Sequence, residues 1–487
     1  MKRLIASVAS VAALLMSGCM VGPKYSRPPA PAAPSFKETT QWKPADGWKI
    51  AQPNDAALRG KWWELYGDSK LNELEEQVEP SNQTLKIAEA NFRQARAAIR
   101  FNRSALAPTV VVAPSISSVR ASVNQPYFSP SLANAGTGEF SLPVDLSYEV
   151  DLWGRIRRSI TAAKEQAQAS DADLEAVRLS LHAEVAIDYF ELRSADAQKQ
   201  LLDDTVKAYS EALEVTTNRF EGGVAPKADV TEAATQLNST RVQASDIIVQ
   251  RAQYEHALAI LIGKSPAEFS LPAIPLNVQS PALPVVPVAL PAQLLERRPD
   301  IAASERRMAA ANEQIGIAKA AYYPTLNIAA LAGLEGTSLL NWFNWPSRLW
   351  AVGGSLSETL FDAGRRRATT ETALAGYDGA VANYRQTVLN AFQQVEDNLV
   401  ALHVLNTESE QQHVATGSAE ESLELSQNRY AGGLDTYLQV VIWQATALTN
   451  ERNDIDIMRR RLEASVLLTK ALGGGWDASK HSHFISP

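Results

Sequence analysis

The chain has a single cysteine, Cys19, among 487 residues, so no disulfide can close within it. It has no apolar run long enough to cross a bilayer as a helix, although 45% of its residues are hydrophobic. Its 46 Lys and Arg do not cluster and are outnumbered by 54 Asp and Glu, giving a net charge of −8, which argues against nucleic acid as a partner. The six histidines (182, 256, 403, 413, 481 and 483) show no metal-ligand spacing beyond His481-x-His483 in the tail, where a solvated pair is expected. No nucleophile motif, phosphate loop or cofactor fingerprint is present. The expectation is a protein that is not an enzyme and uses neither cofactor nor metal. Proline is also missing from two long stretches, Gly154 to Gly222 and Gly364 to Gly432.

The lone cysteine sits in an informative place. Lys2-Arg3 precede thirteen uncharged residues, Leu4 to Met16, and then Ser17-Gly18-Cys19. This is a charged n-region, an apolar region too short to span, and small residues before a cleavage point. It resembles a bacterial lipoprotein signal, with Met16 where the lipobox usually has Leu. The resemblance implies removal of residues 1–18 and acylation of Cys19, with two or three acyl chains anchoring stably where one is marginal. An ordinary cleaved signal followed by a stray cysteine is the other reading. Met20 is not the Asp associated with inner-membrane retention, so the outer membrane is favoured. A Pro-rich leader, Pro23 to Pro34, follows within residues 19–60 and reads as an extended tether that cannot pack.

The rest of the chain is written twice. Asn218-Arg219-Phe220-Glu221-Gly222-Gly223 returns 210 residues later as Asn428-Arg429-Tyr430-Ala431-Gly432-Gly433. The same offset carries Gly154-Arg155 to Gly364-Arg365 and Ile262-Gly263 to Leu472-Gly473. Upstream the offset becomes 216, with Ala107-Pro108-Thr109 matching Tyr323-Pro324-Thr325 and Ile99 matching Ile315. The copies occupy residues 61–265 and 298–475, with a Pro-rich linker at 266–297 and a tail at 476–487. A unit this long implies pseudo-symmetric halves rather than a solenoid array.

Each half reads as short helix, strand, strand, very long helix, turn, medium helix. Short helices are expected over about Gln83 to Ala105 and Pro299 to Tyr322, and a further one near Gln293 to Arg297. In the second long span, Leu374, Tyr377, Val381, Tyr384, Val388, Phe392, Val395, Leu399 and Leu402 recur at coiled-coil spacing. An uninterrupted helix of this kind measures roughly 100 Å at the α-helical rise. A medium helix, Lys227 to Leu261, turns back after a glycine pair, with Pro226 suited to its start. Strands with one greasy and one polar face are expected near 108–120 and 140–151, and near 324–334 and 350–361. Their length suits a tilted crossing of a membrane. A soluble half-buried sheet is the alternative on pattern alone. Four strands cannot close a membrane barrel, so several chains would have to share one, three giving twelve strands. Tyr148, Trp153, Trp350 and Phe361 flank the strand ends and suit aromatic girdles or core packing.

Lys61-Trp62-Trp63-Glu64-Leu65-Tyr66-Gly67-Asp68, Asp151-Leu152-Trp153-Gly154-Arg155, Leu294-Leu295-Glu296-Arg297-Arg298-Pro299-Asp300-Ile301 and the two Arg-aromatic-x-Gly-Gly hairpins together resemble the outer-membrane factor family of TolC and OprM, particularly its NodT-type lipoproteins. The resemblance implies an internally duplicated α+β membrane protein, in which a long coiled-coil helical barrel continues a β-barrel shared by a homotrimer. It implies the exit duct of a tripartite pump that conducts small molecules from a periplasmic adaptor and an inner-membrane transporter, of RND type, through the outer membrane. A type I protein-secretion duct has the same architecture, and a structural periplasmic coiled-coil lipoprotein is a further class.

Within that frame Asn218, Arg219, Phe220, Gly222 and Gly223, with Asn428, Arg429, Tyr430, Gly432 and Gly433, are the candidate adaptor-docking tips. The same glycines also serve as plain helix stops. Asp229 and Asp435 suit either helix caps or a charged constriction at the periplasmic entrance. Relatives carry Leu-Asp-Ala-Gln where this chain has Val441-Ile442-Trp443-Gln444, which leaves an acidic ring at that level, and ion selectivity with it, without support.

The lipobox generates a direct test. Metabolic palmitate labelling is expected to tag the wild type and not Cys19→Ser, and label persisting in the variant contradicts acylation at Cys19. Because strands also hold the protein in the membrane, Cys19→Ser is expected to stay partly membrane-bound.

Overall fold

Without proline to interrupt them, the two long stretches are free to be continuous helices. The computed structural model describes residues 20–31, 35–38, 48–50, 60–120, 122, 124, 136–277, 286–288 and 298–474. In chain order the elements are β1 (Trp48–Ile50), α1 (Ser69–Ser81), α2 (Gln83–Ser104), β2 (Thr109–Val112), β3 (Ser115–Val119), β4 (Thr137–Val150), α3 (Arg155–Glu221), α4 (Lys227–Leu261), β5 (Val286–Val288), α5 (Pro299–Ala320), β6 (Thr325–Gly336), β7 (Arg348–Ser357), α6 (Arg365–Ala431) and α7 (Tyr437–Ala471). The duplication holds element by element. The short helices α2 and α5 have 22 residues each, the long helices α3 and α6 have 67, and the medium helices α4 and α7 have 35. Two compact units emerge, one of residues 1–29, 91–170 and 304–384, the other of 30–90, 171–303 and 385–487.

The first unit holds the sheet. Its order is β2-β4-β6-β7, with β3 also on β4, and every pairing is antiparallel. The strand expected over 108–120 is split at Ala113-Pro114, because proline has no N–H to give the ladder. Both pieces keep a single register on β4, with Val110 opposite Leu146 and Ser115 opposite Ser141. The strand expected over 350–361 begins at Arg348 and stops at Ser357. Leu360 and Phe361 beyond it are 89% and 87% exposed, so they have no neighbour within this chain to pair with.

Strand passes to helix at acidic corners. The Asp151 carboxylate accepts from the backbone N–H groups of Ile156 (3.2 Å) and Arg157 (2.9 Å), and Asp362 from those of Gly364 and Arg366 (both 3.1 Å). Each carboxylate thereby satisfies N–H groups at a helix start that lack intrahelical acceptors. Aromatic side chains mark both ends of the sheet. Trp153 stacks on Tyr323 at 4.7 Å and donates to Pro324 O (2.8 Å), while Phe140 meets Trp342 at 5.6 Å.

The leader is not the loose tether expected. Its first residues pack along α3 and α5, because two glycines leave room and a buried arginine supplies donors. Val21 N donates to Trp153 O (3.1 Å), and a Cβ on Gly22 would stand 2.6 Å from Gly316 Cα. The Arg158 guanidinium donates to Val21 O (2.6 Å), Pro23 O (3.3 Å) and Glu313 (2.7 Å). Tyr25 then donates to Glu305 (2.5 Å), and Arg27 to Tyr384 Oη. Cys19, the short helix expected near 293–297 and the tail lie outside the described residues.

In the second unit the coiled-coil residues Val395, Leu399 and Leu402 of α6 pack with Ile457 and Leu468 of α7, Phe36 and Val286. Strand β1 pairs β5 in parallel, which no periodicity in the sequence had indicated. Asp68 caps α1 by accepting from Lys70 N and Leu71 N. The helix is held to α3 by Glu75 and His182, 2.6 Å apart, with the Trp63 ring stacked on the imidazole at 4.4 Å. Burial pushes the Glu75 carboxyl up, and burial followed by the Arg178 charge pushes His182 down to about 4.

Removing Arg158 leaves Glu313 buried without its cation and the leader without its donors. Arg158→Gln is expected to cost about 3–5 kcal/mol and to speed protease cleavage within residues 20–31. Adding Glu313→Gln should recover part of the loss, as read by cleavage rate and urea midpoint.

Candidate docking tip

Each long helix ends where a left-handed residue becomes available. Gly223 has φ +74° and Gly433 φ +70°. Val224 N donates to Arg219 O (2.8 Å) and Gly223 N to Phe220 O (2.9 Å), and in the second copy Leu434 N donates to Arg429 O (2.9 Å) and Gly433 N to Tyr430 O (3.0 Å). These six-to-one and five-to-two bonds are a Schellman stop, with Gly223 and Gly433 at the C′ position. Gly222 and Gly432 lie one residue earlier, each still bonded back to Asn218 O or Asn428 O at 3.0 Å. Helix termination is therefore part of what these glycines do. The space around Gly223 and Gly433 is nonetheless open, with no heavy atom within 4 Å of where a Cβ would stand.

The two turns differ in their side chains. Arg219 lies over the Tyr430 ring, 4.6 Å from its centre, and so is engaged within the chain. Tyr430 Oη donates to Asp229 (3.0 Å), and its ring meets Tyr437 edge-on at 5.1 Å. Tyr437, Ala233 and Val440 form a small buried cluster against which Leu213, Leu423 and Tyr430 pack. Burial, reinforced by Asp229, pushes the Tyr430 phenol up to about 12, so it remains a donor at neutral pH. Arg429 instead pairs with Asp435 at 3.2 Å and is 60% exposed. Phe220 occupies the position of Tyr430 in the first copy and is 40% exposed, since it has no hydroxyl to bring it inward.

Neither aspartate is a helix cap. The N-cap positions of α4 and α7 belong to Pro226 and Thr436, with no side-chain capping bond at either. Asp229, 9% exposed, lies inside the first turn of α4. Asp435 precedes α7 and accepts from Thr436 N (2.9 Å). Of the expected tip residues, the structure joins Arg219, Tyr430 and Asp229 across the two hairpins and leaves Phe220 and Arg429 facing solvent. The part of Tyr437 was not read from the sequence. The signal available was an aromatic at Tyr437 where the first copy has Lys227.

The tip bond can be measured locally. Tyr430→Phe removes a hydrogen bond to a carboxylate, about 1.5–3 kcal/mol, so amide exchange over residues 428–434 should quicken roughly 10- to 100-fold. Asp229→Ala should give a similar change, and the double variant little more, if the pair acts as one unit.

A family model described as outer membrane efflux protein matches residues 74–264 and 290–474, once in each half of the duplication. The toluene efflux pump outer membrane protein TtgF of Pseudomonas putida is 31% identical over 465 residues, 95% of this chain and 95% of that protein. The antibiotic efflux pump outer membrane protein ArpC, also of Pseudomonas putida, is 30% identical over 469 residues, covering 96% and 95%. Among solved structures, the outer-membrane channel OprN superposes with a TM-score of 0.85 at 26% identity, covering 94% of this chain and all of that one.

Proposed function

This chain belongs to the outer membrane efflux protein family, and from that premise we propose that it is the exit duct of a tripartite pump. It works as a homotrimer that passively conducts small molecules across the outer membrane, without chemistry of its own. The observation that carries this reading is the duplicated hairpin of long helix, Schellman stop and returning helix, attached to membrane-length strands in both copies. Relatives whose names record toluene and antibiotic efflux support small molecules over polypeptide as cargo.

In this reading residues 1–18 are a lipoprotein signal, and Cys19 carries acyl chains. The two repeats occupy 61–265 and 298–475, joined by the linker at 266–297. The hairpin turns are the face offered to a periplasmic adaptor, which links the duct to an inner-membrane transporter of RND type. Their open Gly223 and Gly433 let a partner's backbone approach, and exposed Phe220, Val224 and Leu434 offer apolar contact. Asp435, beside exposed Arg429, is the carboxylate we assign to the entrance constriction, because Asp229 is committed to Tyr430.

Gly223→Trp and Gly433→Trp separate docking from helix termination. The open space means an added Cβ meets nothing in the chain, leaving about 1–2 kcal/mol of left-handed backbone strain. Trimer yield and membrane insertion should stay near normal while adaptor crosslinking and efflux fall. Loss of trimer with crosslinking retained refutes the docking assignment.

A further inference from the structure

Register alone assigns the two faces of the sheet, because residues directly opposite in an antiparallel pair share a face. Val110, Leu146, Ala330 and Val352 are opposite one another in turn across four strands. Carried along the strands by alternation, their face presents Leu142, Val144, Ile328, Trp350 and Leu356. The other face presents Asp145, Glu149, Asn327 and Ser355. A barrel strand turns its apolar face to lipid and its polar face to the lumen, so the first is the lipid face. Trp350 and Val352 on it are 79% and 71% exposed.

Among the paired residues of the lipid face, Arg348 alone is charged. It is the first residue of β7, opposite Leu334, at the end of the sheet away from the strand–helix corners. Those corners lead into the periplasmic helices, so this end meets the outer leaflet. A lipid-facing arginine is costly at mid-membrane and nearly free at the interface. The connection over residues 337–347 is folded around it. Arg348 Nε donates to Trp345 O (2.8 Å), and the guanidinium lies over the Trp345 ring. Trp342 packs on Phe140 of the same face and on Phe343 at 5.0 Å, and Ser347 Oγ donates to Asn341 O (2.5 Å). Tryptophan in this number suits a membrane–water boundary.

The charge of Arg348 has no counterpart. Glu139 and Glu335 border the same groove, but their registers, opposite Ser117 and Ser141, put them on the polar face. Neither forms an ion pair with Arg348 among the described residues. A neighbouring copy does not neutralise it from β2 and β3 either, because residues 109–138 contain no Asp or Glu and do contain Arg120.

We propose that Arg348, flanked by Trp345 and Trp350, binds the phosphate of an outer-leaflet lipid whose acyl chains lie along Trp350 and Val352. A guanidinium matches a phosphate as a two-pronged, charge-assisted pair, and phosphate is the anion that a membrane presents at this depth. The surrounding rings exclude water and so strengthen the attraction. The ligand class is a phosphate ester on an acylated lipid, either a glycerophospholipid or a phosphorylated glycolipid. The proposal needs the sheet to cross the outer membrane and does not depend on what the duct carries.

Native mass spectrometry of the detergent-extracted full chain reads the lipid it retains. The probes are phosphatidylglycerol, lipid A, lipid A stripped of its phosphates, and inorganic phosphate. The wild type should retain at least one phosphorylated lipid about tenfold more than the stripped one, and the one that saturates at lower concentration identifies the source. Arg348→Gln should lose that preference with particle mass and efflux unchanged, which separates this site from the duct reading. Arg348→Lys should keep part of it, since lysine supplies the charge without the fork. Retention in Arg348→Gln equal to wild type overturns the proposal, as does equal retention of stripped lipid A. Displacement of the lipid by inorganic phosphate makes this a free-anion site and overturns the lipid assignment.

Discussion

A β-sheet in hydrocarbon must satisfy each backbone N–H and C=O from a neighbouring strand, because no water is there to replace a missing partner. The rest of this structure is arranged around that constraint. Its sheet has an open edge on each side, and the strands of one chain are too few to curl round and meet. Closure has to come from other copies, and the duplication makes the two edges fit, since β2 and β7 are the counterparts of strands that already pair inside the chain. The seam between α3 and α5 carries the buried Arg158–Glu313 pair and the more exposed Arg306–Glu165 pair. Gly22 and Gly316 admit the leader there, where Arg158 holds it.

The hairpin turns obey a different requirement. A long helix must stop and reverse without leaving its last carbonyls unsatisfied, and a glycine at positive φ does this twice. Symmetric backbones there carry asymmetric side chains. Tyr430 of the second hairpin reaches across to Asp229 and lies under Arg219 of the first, while Phe220 remains outside.

Much of this was legible in the sequence, and for identifiable reasons. Proline-free spans bounded by glycines set the long helices, and alternation in Leu142 to Val150 marked a strand that the structure extends back to Thr137. The constant offsets described a duplication that needs no structure to see. What was not legible depended on contacts distant in sequence. The leader looked unable to pack because proline content speaks only of local conformation, while its binding depends on Arg158, Glu313 and Gly316. The short parallel pair β1–β5 has too few residues for a period to show. Strand β7 read as reaching 361 because its pattern continues, and pattern cannot say which molecule supplies the partner.

The central claim is that one chain is an incomplete barrel whose open edges are completed by two further copies. The most direct measurement is the protein mass of the detergent-extracted particle, by light scattering or native mass spectrometry. Three chains per particle is the result expected here. A stable particle of one chain, with β2 and β7 still unpaired, would contradict the account.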